Sequence, residues 1–432
     1  MDYKSYILSH FYSIYQVDDR IIEDLNSSNP KRISWPNYGD AFFEKSKPFE
    51  LNAIEVNWLG KKIPLPFADK GDVITTKNKN SKLCFDVFAA SFMILSGWQE
   101  FKQNDVGSRI SAKHLFQYRY KCIRLPIVNY YLDILKTALE EAWEIEIPLK
   151  KKRSSVFISH DVVKVNGGWK NSIRSEASKF NLGNMVYLVA RRLTGRDIWR
   201  NLDFIMSLEE SYDVRSTFFL MGRRGKGYAD YDLGKSPYNT WVKDIQGRGF
   251  EAALLASNGS HNSAHKLGSD MRHFKYKVYG NRFQELKYKT NSSPRSLEKN
   301  KFVYDHSMGM YDEVGFRNGY CYPFIPWNFK DNRMANYVEI PLMINDHALE
   351  KRKYLSVVPK DAQNAFIQIA EQSEKFNGII SINWSNYFYS DFGYKEWRKA
   401  MERIIKEGLD RGYSFKSGYQ LSLAIKEKGL VS

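Results

Sequence analysis

The stretch SSVFISHDVVKV (residues 154–165) predicts the fold of the larger part of the chain. Its first half, Val156 to Ile158 between small residues, is apolar and β-branched, as is typical of a buried strand. The stretch then presents His160 and Asp161, and parallel strands carry functional groups at their carboxyl ends. Two valines follow the carboxylate. We therefore predict a buried strand that delivers Asp161 to a site and brings no second acid with it.

Strands and helices alternate downstream of this stretch. The sequence predicts strands at 155–160, 215–221, 249–256, 338–344 and 378–384, a basic amphipathic region at 170–195, and helices near 197–212, 237–247, 261–279, 360–374, 394–411 and 417–427. Repeated strand–helix units indicate a parallel sheet that is closed, or nearly closed, into a β/α barrel. Leu255 and Trp384 then lie at strand ends beside His160 and Asp161.

A boundary is predicted at IPLKKKRSS (147–155), because a proline, four cations and two serines precede the strand. Short apolar runs with turn signals and two predicted helices, near 84–102 and 126–144, lie upstream. We therefore divide the chain into an N-terminal α+β accessory domain, residues 1–150, and an α/β domain that forms the barrel, residues 151–432.

Composition limits the class of protein. The chain has 432 residues, 43% of them hydrophobic, and 65 Lys and Arg against 49 Asp and Glu, a net charge of +16. A basic surface suits an anionic partner such as an acidic polysaccharide or a membrane surface, although solvated charge explains it equally well. Without a zinc finger, RNP-like motif or basic repeat, we expect no nucleic-acid partner. The three cysteines are scattered, no apolar run is long enough to span a membrane, and we find no signal segment. These features predict a cytoplasmic protein.

Six stretches carry a family resemblance. In chain order they are SHDVV, STFFL, GFEAALLAS, YDHSMGMYDEVGFRNGYCYPFIPWN (304–328, the most specific), EIPLMINDHAL and IISINWSN. The chain resembles the NodB-homology polysaccharide deacetylases, carbohydrate esterase family four, in a bacterial branch whose extra N-terminal domain is similar to residues 84–129. The resemblance implies a distorted β/α barrel and metal-dependent removal of an acetyl group from a sugar, in bacterial surface-polysaccharide metabolism.

The resemblance also implies roles for single residues. In the family, zinc is held by an Asp and two His, a second Asp activates water, an Arg orients that base, and a late His protonates the leaving group. Asp161 matches the base and Arg317 the arginine, so both are candidate catalytic residues, and we expect them to form an ion pair. The other candidates are expected to bind substrate: His160, Arg282, Trp327, Asp346, Trp384 and Asn386. Trp327 is the candidate ring for stacking on a sugar.

The positions that match metal ligands and the late acid are occupied by residues that do not bind a metal. Valine follows Asp161 where the family has its ligand Asp, and the other departures are Leu255 and Gly259, Gln284, and Ser385 in place of histidines. Apolar side chains do not ligate a divalent cation, and a single carboxylate does not retain one. We therefore predict no metal and no other cofactor.

Two functions remain open at this point. The chain is either a catalytically degenerate deacetylase homologue that binds a glycan or a partner protein, or an active carbohydrate N- or O-deacetylase. The second function needs metal-free chemistry at Asp161, or zinc on relocated ligands Asp161, His261 and His265. Two histidines four residues apart share a helix face, but we favour a solvated helix start capped by Ser260.

A third interpretation is a peripheral membrane or scaffold protein in a polysaccharide assembly system. It rests on NMVYLVARRLTGRDIWR (184–200), whose basic amphipathic character suits lipid head groups. The favoured interpretation of this segment is an ordinary helix that packs on the barrel.

Overall fold

The computed structural model of the chain describes residues 2–44, 51–103, 110–150, 153–178, 180–194, 197–351, 359–390, 392 and 394–426. Part of the predicted boundary, residues 151–152, lies outside these residues. The region before it is mixed α+β. Its helices are α1 (Tyr3–Ile14), α2 (Asp19–Asn26), α3 (Gly39–Phe43), α4 (Val87–Leu95), α5 (Trp98–Lys102), α6 (Phe116–Arg119) and α7 (Ile127–Trp143). Its strands are β1 (Ile33–Ser34), β2 (Ala53–Trp58), β3 (Lys61–Pro66), β4 (Ile74–Lys77) and β5 (Asn80–Leu83).

Helix α4 is the centre of this N-terminal region. All nine of its residues are buried, which its apolar sequence VFAASFMIL allows. The Asp86 side chain caps its first turn by accepting a hydrogen bond from the Ala89 amide at 3.0 Å. Gly97, in the left-handed conformation at φ +73°, separates α4 from α5, so the helix predicted over 84–102 is two helices.

The second region is built on one parallel sheet. Its strands are β6 (Ser155–Val162), β7 (Thr217–Leu220), β8 (Glu251–Ala256), β9 (Gly280–Phe283), β10 (Tyr304–Asp305), β13 (Val338–Glu339), β14 (Ile344–Asn345), β15 (Ile379–Asn383) and β16 (Ser414–Phe415), and a separate antiparallel pair is β11 (Trp327–Asn328) with β12 (Arg333–Met334). The main order is β13-β10-β9-β8-β7-β6-β15-β14, with β16 also paired to β6. Every pairing in the sheet is parallel.

Chain connectivity bends this sheet. Strands β13 and β14 form its two edges, yet only residues 340–343 separate them in the chain. Eight strands laid flat would place the edges about 34 Å apart at the usual spacing, whereas the connection reaches at most about 19 Å. The sheet must therefore curl, and the predicted distorted β/α barrel is confirmed.

Helices surround the curled sheet. They are α8 (Gly168–Ser178), α9 (Leu182–Leu193), α10 (Leu202–Glu210), α11 (Trp241–Gly247), α12 (Ala264–Met271), α13 (Ser293–Lys299), α14 (Asp346–Lys351), α15 (Pro359–Glu374), α16 (Lys395–Asp410) and α17 (Gly418–Lys426). Helix α9 packs on the barrel through a small contact only. Leu188, its one buried residue, joins a cluster with Ile198 and Trp199 against which Tyr387 and Phe392 pack, and the Tyr187 ring stacks on Phe392. Its remaining large apolar side chains, Leu182, Val186, Val189 and Leu193, are exposed.

The N-terminal region and the barrel share one continuous hydrophobic core. The segment 309–328 lies between them. Tyr6 donates to the Ile325 carbonyl at 2.8 Å, and the Val128 amide donates to the Gly319 carbonyl at 2.7 Å. Gly319 has φ +62°, and a Cβ there would lie 2.7 Å from Ile127, so only glycine fits this close approach.

Trp327 belongs to this contact region. It is 5% exposed, and its ring centre lies 5.3 Å from that of Tyr6 and 5.5 Å from that of Phe92, both edge to face. The prediction that Trp327 stacks on a sugar is therefore wrong, because helices α1 and α4 cover the ring.

Candidate functional site

A cavity of about 370 Å³ opens at the carboxyl ends of the barrel strands. Its walls combine carboxylates, apolar side chains and aromatic rings. The lining residues are Asp161, Val163, Lys164, Trp199, Leu255, Gln284, Glu285, Leu286, Tyr311, Asn345, His347, Ser385, Tyr387 and Tyr394. Active sites of β/α barrels occupy this end of the sheet.

The structure brings four of the five replaced family positions together here. Val163, Leu255, Gln284 and Ser385 all line the cavity beside Asp161. They lie at or just after the ends of β6, β8, β9 and β15, which meet at one edge because the strands are parallel. The side chains at these positions are two apolar groups, an amide and a hydroxyl. Gly259 is not among the lining residues.

Asp161 is held by Arg282. Arg282 is fully buried, and its Nη1 donates to Asp161 Oδ1 at 2.6 Å and to Asn383 Oδ1 at 2.6 Å. Its Nη2 donates to Ser159 Oγ at 2.6 Å, and its Nε donates to the His306 carbonyl at 3.2 Å. Arg282 was predicted to bind substrate, but these partners use its guanidinium inside the barrel, and it does not line the cavity.

The Asp161 carboxylate faces the cavity with 16% of its side-chain surface exposed. Burial raises its pKa above the usual range, the neighbouring Asp346 raises it further, and the Arg282 charge opposes the rise. Asp346 is itself buried and accepts from the His347 and Ser385 amides, both at 2.6 Å. Asp346, predicted to bind substrate, thus joins α14 to the loop after β15 beneath the cavity.

The predicted ion pair between Asp161 and Arg317 is wrong. Arg317 is buried against Glu100 of α5, with Nε donating to Oε1 at 3.0 Å, and its Nη1 donates to the Gly309 carbonyl at 3.2 Å. The acidic partner of Arg317 is therefore Glu100 of the N-terminal region and not Asp161 of the barrel. Arg317 therefore joins the two regions, while Arg282 takes the place beside Asp161.

Three further candidates for substrate binding are fully buried and do not line the cavity. The His160 ring lies within hydrogen-bond distance of the Trp384 carbonyl, 2.8 Å from Nδ1, and of Glu209, 2.9 Å from Nε2. Trp384 packs against Trp397, and the Asn386 amide donates to the carbonyls of Lys164 and Trp199 at 3.0 and 2.8 Å. These contacts hold the loops around the cavity in place. Because none of the three side chains lines the cavity, none is positioned to contact a substrate there.

The residues present do not fit the zinc site that the resemblance implies. Ser263, and not Ser260, caps α12, so His261 precedes the helix in a separate short turn and only His265 lies on it. The two histidines therefore do not share a helix face, and neither lines the cavity. Within the described ranges, no three His, Cys, Asp or Glu side chains are grouped so that they could hold a metal ion.

Aromatic rings of the cavity were not predicted from the sequence. The ring centres of Trp199 and Tyr387 lie 5.9 Å apart, and those of Tyr387 and Tyr394 lie 5.6 Å apart. The Tyr311 and His347 rings are 5.5 Å apart by the same measure. These rings come from loops and helix starts after β6, β10, β14 and β15, where no local motif marks them. Their only sequence signal is the high aromatic content, 15%.

Two polar atoms in the cavity wall have unmet hydrogen bonds. The Trp199 Nε1 donor and the Gln284 Oε1 acceptor are buried and find no partner among the residues that the structure describes. An ordered water, an ion or a functional role commonly accounts for an unpaired buried polar atom.

The rim next to Gln284 has an unusual backbone. Glu285 and Leu286 both adopt left-handed conformations, at φ +60° and +56°. Each costs about 1 kcal/mol or more for a residue with a Cβ, and such residues cluster at binding sites.

One family model and several solved structures are similar to this chain. The model of a family of unknown function, DUF7033, matches residues 4–144, upstream of β6. No curated protein matches the chain. Among solved structures, a candidate polysaccharide deacetylase from Mycobacterium smegmatis is similar at 12% identity, over 65% of this chain and 93% of that chain, with a TM-score of 0.43.

Two other similar structures come from Bacillus. A CE4-family pseudoenzyme from Bacillus anthracis has 10% identity over 63% of this chain and 66% of its own, with a TM-score of 0.32. The peptidoglycan deacetylase PdaC from Bacillus subtilis has 11% identity over 64% and 94%, with a TM-score of 0.34. The structural neighbours thus include polysaccharide deacetylases and a pseudoenzyme, too distant to assign a role to any side chain. None of the helices built from described residues combines the length and apolar character of a membrane span.

Proposed function

We propose that the protein is a polysaccharide deacetylase-like protein that binds a glycan in the Asp161 cavity and does not perform metal-dependent hydrolysis. One observation carries the proposal. Val163, Leu255, Gln284 and Ser385, four of the five replaced family positions, line the same cavity as Asp161. The proposed biological context, bacterial surface-polysaccharide metabolism, is taken from the family resemblance. The cytoplasmic location and a protein partner stay predictions from the sequence.

The cavity wall suits a sugar. Carbohydrates present apolar C–H faces that pack on aromatic rings, and hydroxyls that need hydrogen-bond partners. Tyr311, Tyr387 and Tyr394 provide rings, while the side chains of Asp161, Lys164 and Asn345 provide polar groups. The exposed Lys164 at the rim and the net charge of +16 favour an acidic glycan.

The same wall does not suit catalysis through a metal. A catalytic zinc needs about three protein ligands and an open position. Asp161 offers one carboxylate, already bound to Arg282 at 2.6 Å, and its neighbours Val163 and Leu255 offer no donor atom. Because the apolar side chains next to the carboxylate cannot ligate a divalent ion, the volume of the cavity is available to a different ligand.

Calorimetric titration of the full chain tests glycan binding. The probes are N-acetylglucosamine oligomers and uronic-acid oligomers. We expect at least one probe to bind and Tyr311→Ala and Tyr394→Ala to weaken it about tenfold each, the effect of removing one ring contact. Tyr276→Ala is the matched control, because Tyr276 is exposed outside the cavity. If neither class of oligomer binds, the proposal fails.

Acetate release separates the two function classes. Acetylated oligomers are incubated with the protein, with and without added zinc, and free acetate is followed by proton NMR. We expect none above the rate without protein. Acetate release that is lost in Asp161→Asn would show an active hydrolase instead.

A further inference from the structure

Helices α8 and α9 form a pair that packs together outside the barrel, and this pair carries a large exposed apolar surface. Of the twelve large hydrophobic side chains that are exposed among the described residues, six lie between positions 180 and 193. They are Phe180, Leu182, Val186, Tyr187, Val189 and Leu193. A concentration of this kind marks an interaction surface, whereas single exposed apolar residues do not.

Four of these side chains form one stripe. Leu182, Val186, Val189 and Leu193 follow the spacing i, i+4, i+7 and i+11, which places them on one face of α9. Their exposed fractions are 73%, 69%, 42% and 82%. Leu188 faces the opposite way and anchors the helix, so the stripe is directed to solvent.

Cations surround this stripe. Residues 162–202 contain eight Lys and Arg and two acids, Glu176 and Asp197. Both acids are buried, at 5% and 2% exposure, and Glu176 accepts a hydrogen bond from Asn184 at 2.7 Å. Lys170, Arg174 and Arg192 are exposed. The described surface of the helix pair therefore combines an apolar face with positive charge alone.

We propose that the α8–α9 pair is a docking surface for an anionic lipid bilayer. An interfacial helix inserts its apolar face below the head groups while its Lys and Arg bind anionic lipids. A second copy of the chain would place the same cations against one another. Nucleic acid would pair the cations but leave Leu182 and Leu193 in water. A bilayer satisfies both parts of the surface.

The docking surface borders the cavity. Lys164 precedes α8 and Trp199 follows α9, and both residues line the cavity. Binding of the helix pair to a bilayer would thus hold the cavity close to the membrane surface. This inference does not depend on glycan binding, since it rests on the helix pair alone.

Vesicle co-sedimentation of the full chain tests the proposal. The vesicles contain phosphatidylcholine alone, or two parts phosphatidylcholine to one part phosphatidylglycerol. We expect binding only to the anionic vesicles and a loss of binding as salt rises. Leu182→Ser/Val186→Ser/Leu193→Ser and, separately, Arg174→Gln/Arg192→Gln should each reduce the bound fraction about tenfold or more.

Matched variants control for surface changes elsewhere. Leu59→Ser/Leu409→Ser and Lys62→Gln/Lys77→Gln alter exposed residues outside the pair and should bind as the wild type does. Circular dichroism and thermal melting check that every variant is folded. The proposal is overturned if the wild type stays in the supernatant with anionic vesicles or if the serine variant still binds. A dimer in light scattering that the serine variant dissociates would overturn it in favour of a second copy.

Discussion

Arg282 donates a hydrogen bond to the Asp161 carboxylate at 2.6 Å from a position that is fully buried in the barrel. Its guanidinium also lies 4.2 Å from the centre of the Phe219 ring and binds Ser159 and Asn383. One side chain therefore connects β6, β7, β9 and β15 directly beneath the cavity. A cation in this position compensates the carboxylate that the cavity exposes.

Replacement of this cation should be costly. We expect Arg282→Met to lower the free energy of unfolding by about 3–5 kcal/mol, because a partly buried carboxylate loses its partner. Arg282→Lys should recover only part of the loss, since an ammonium cannot reach all the acceptors of a planar guanidinium. Urea unfolding measures both. In the double variant Arg282→Met/Asp161→Leu the losses should not add, and strictly additive losses would contradict the pairing.

A buried carboxyl pair should make stability depend on pH. Asp305 and Glu339 stand opposite each other on β10 and β13, and both side chains are fully buried. Burial raises the pKa of Asp305 to about 6, and burial together with the Asp305 charge raises the pKa of Glu339. An Asp in the unfolded chain has a pKa of about 3.9. Because the folded protein binds this proton more tightly, the stabilisation is present below about pH 4 and is lost as the pH rises through about 6.

Denaturant unfolding between about pH 4 and 7 measures this loss. Asp305 should account for about 3 kcal/mol of it, and Asp305→Asn should remove that share of the slope. Asp213→Asn is the control, because the Asp213 carboxylate is fully exposed and should leave the slope unchanged. An unchanged slope in Asp305→Asn would refute the role of the pair.

The sequence predicted those parts of the fold in which local apolar pattern decides the structure. The strand predicted at 155–160 is β6, and the strands predicted at 249–256 and 378–384 are β8 and β15. It missed β9, whose sequence GNRF is half polar. Both polar side chains of β9 are buried. Asn281 donates to Asp305, and Arg282 donates to Asp161 and Ser159, partners that lie 24 to 123 residues away in the chain.

For the site, the sequence identified positions but not pairings. Four of the five replaced family positions named from the sequence line the cavity, because motif order fixes which strand ends meet. The partners of Asp161 and Arg317 could not, since Glu100 belongs to a different region and lies 217 residues from Arg317 in the chain. Tyr311 and Tyr394 were missed because nothing local distinguishes a ring in a cavity from one in the core.

The ion pair between Arg317 and Glu100 should couple the two regions. We expect Glu100→Ala to lower the free energy of unfolding by about 3–5 kcal/mol, because the Arg317 charge, 1% exposed, is left without a counter-charge. Glu55→Ala removes an exposed carboxylate of the same region and should change stability by less than about 0.5 kcal/mol. Urea unfolding compares them, and equal effects would contradict the coupling.

Metal content tests the loss of the ligand set. The protein is purified without chelator, incubated with zinc, desalted and analysed by mass spectrometry. We expect far less than about one zinc per chain, because Val163 and Leu255 stand beside Asp161 where ligands are needed. Asp161→Ala and His261→Ala/His265→Ala should leave this content unchanged, and a chelator should not alter thermal stability. About one zinc per chain that either variant abolishes would establish a metal site and refute the glycan-binding proposal in its non-catalytic form.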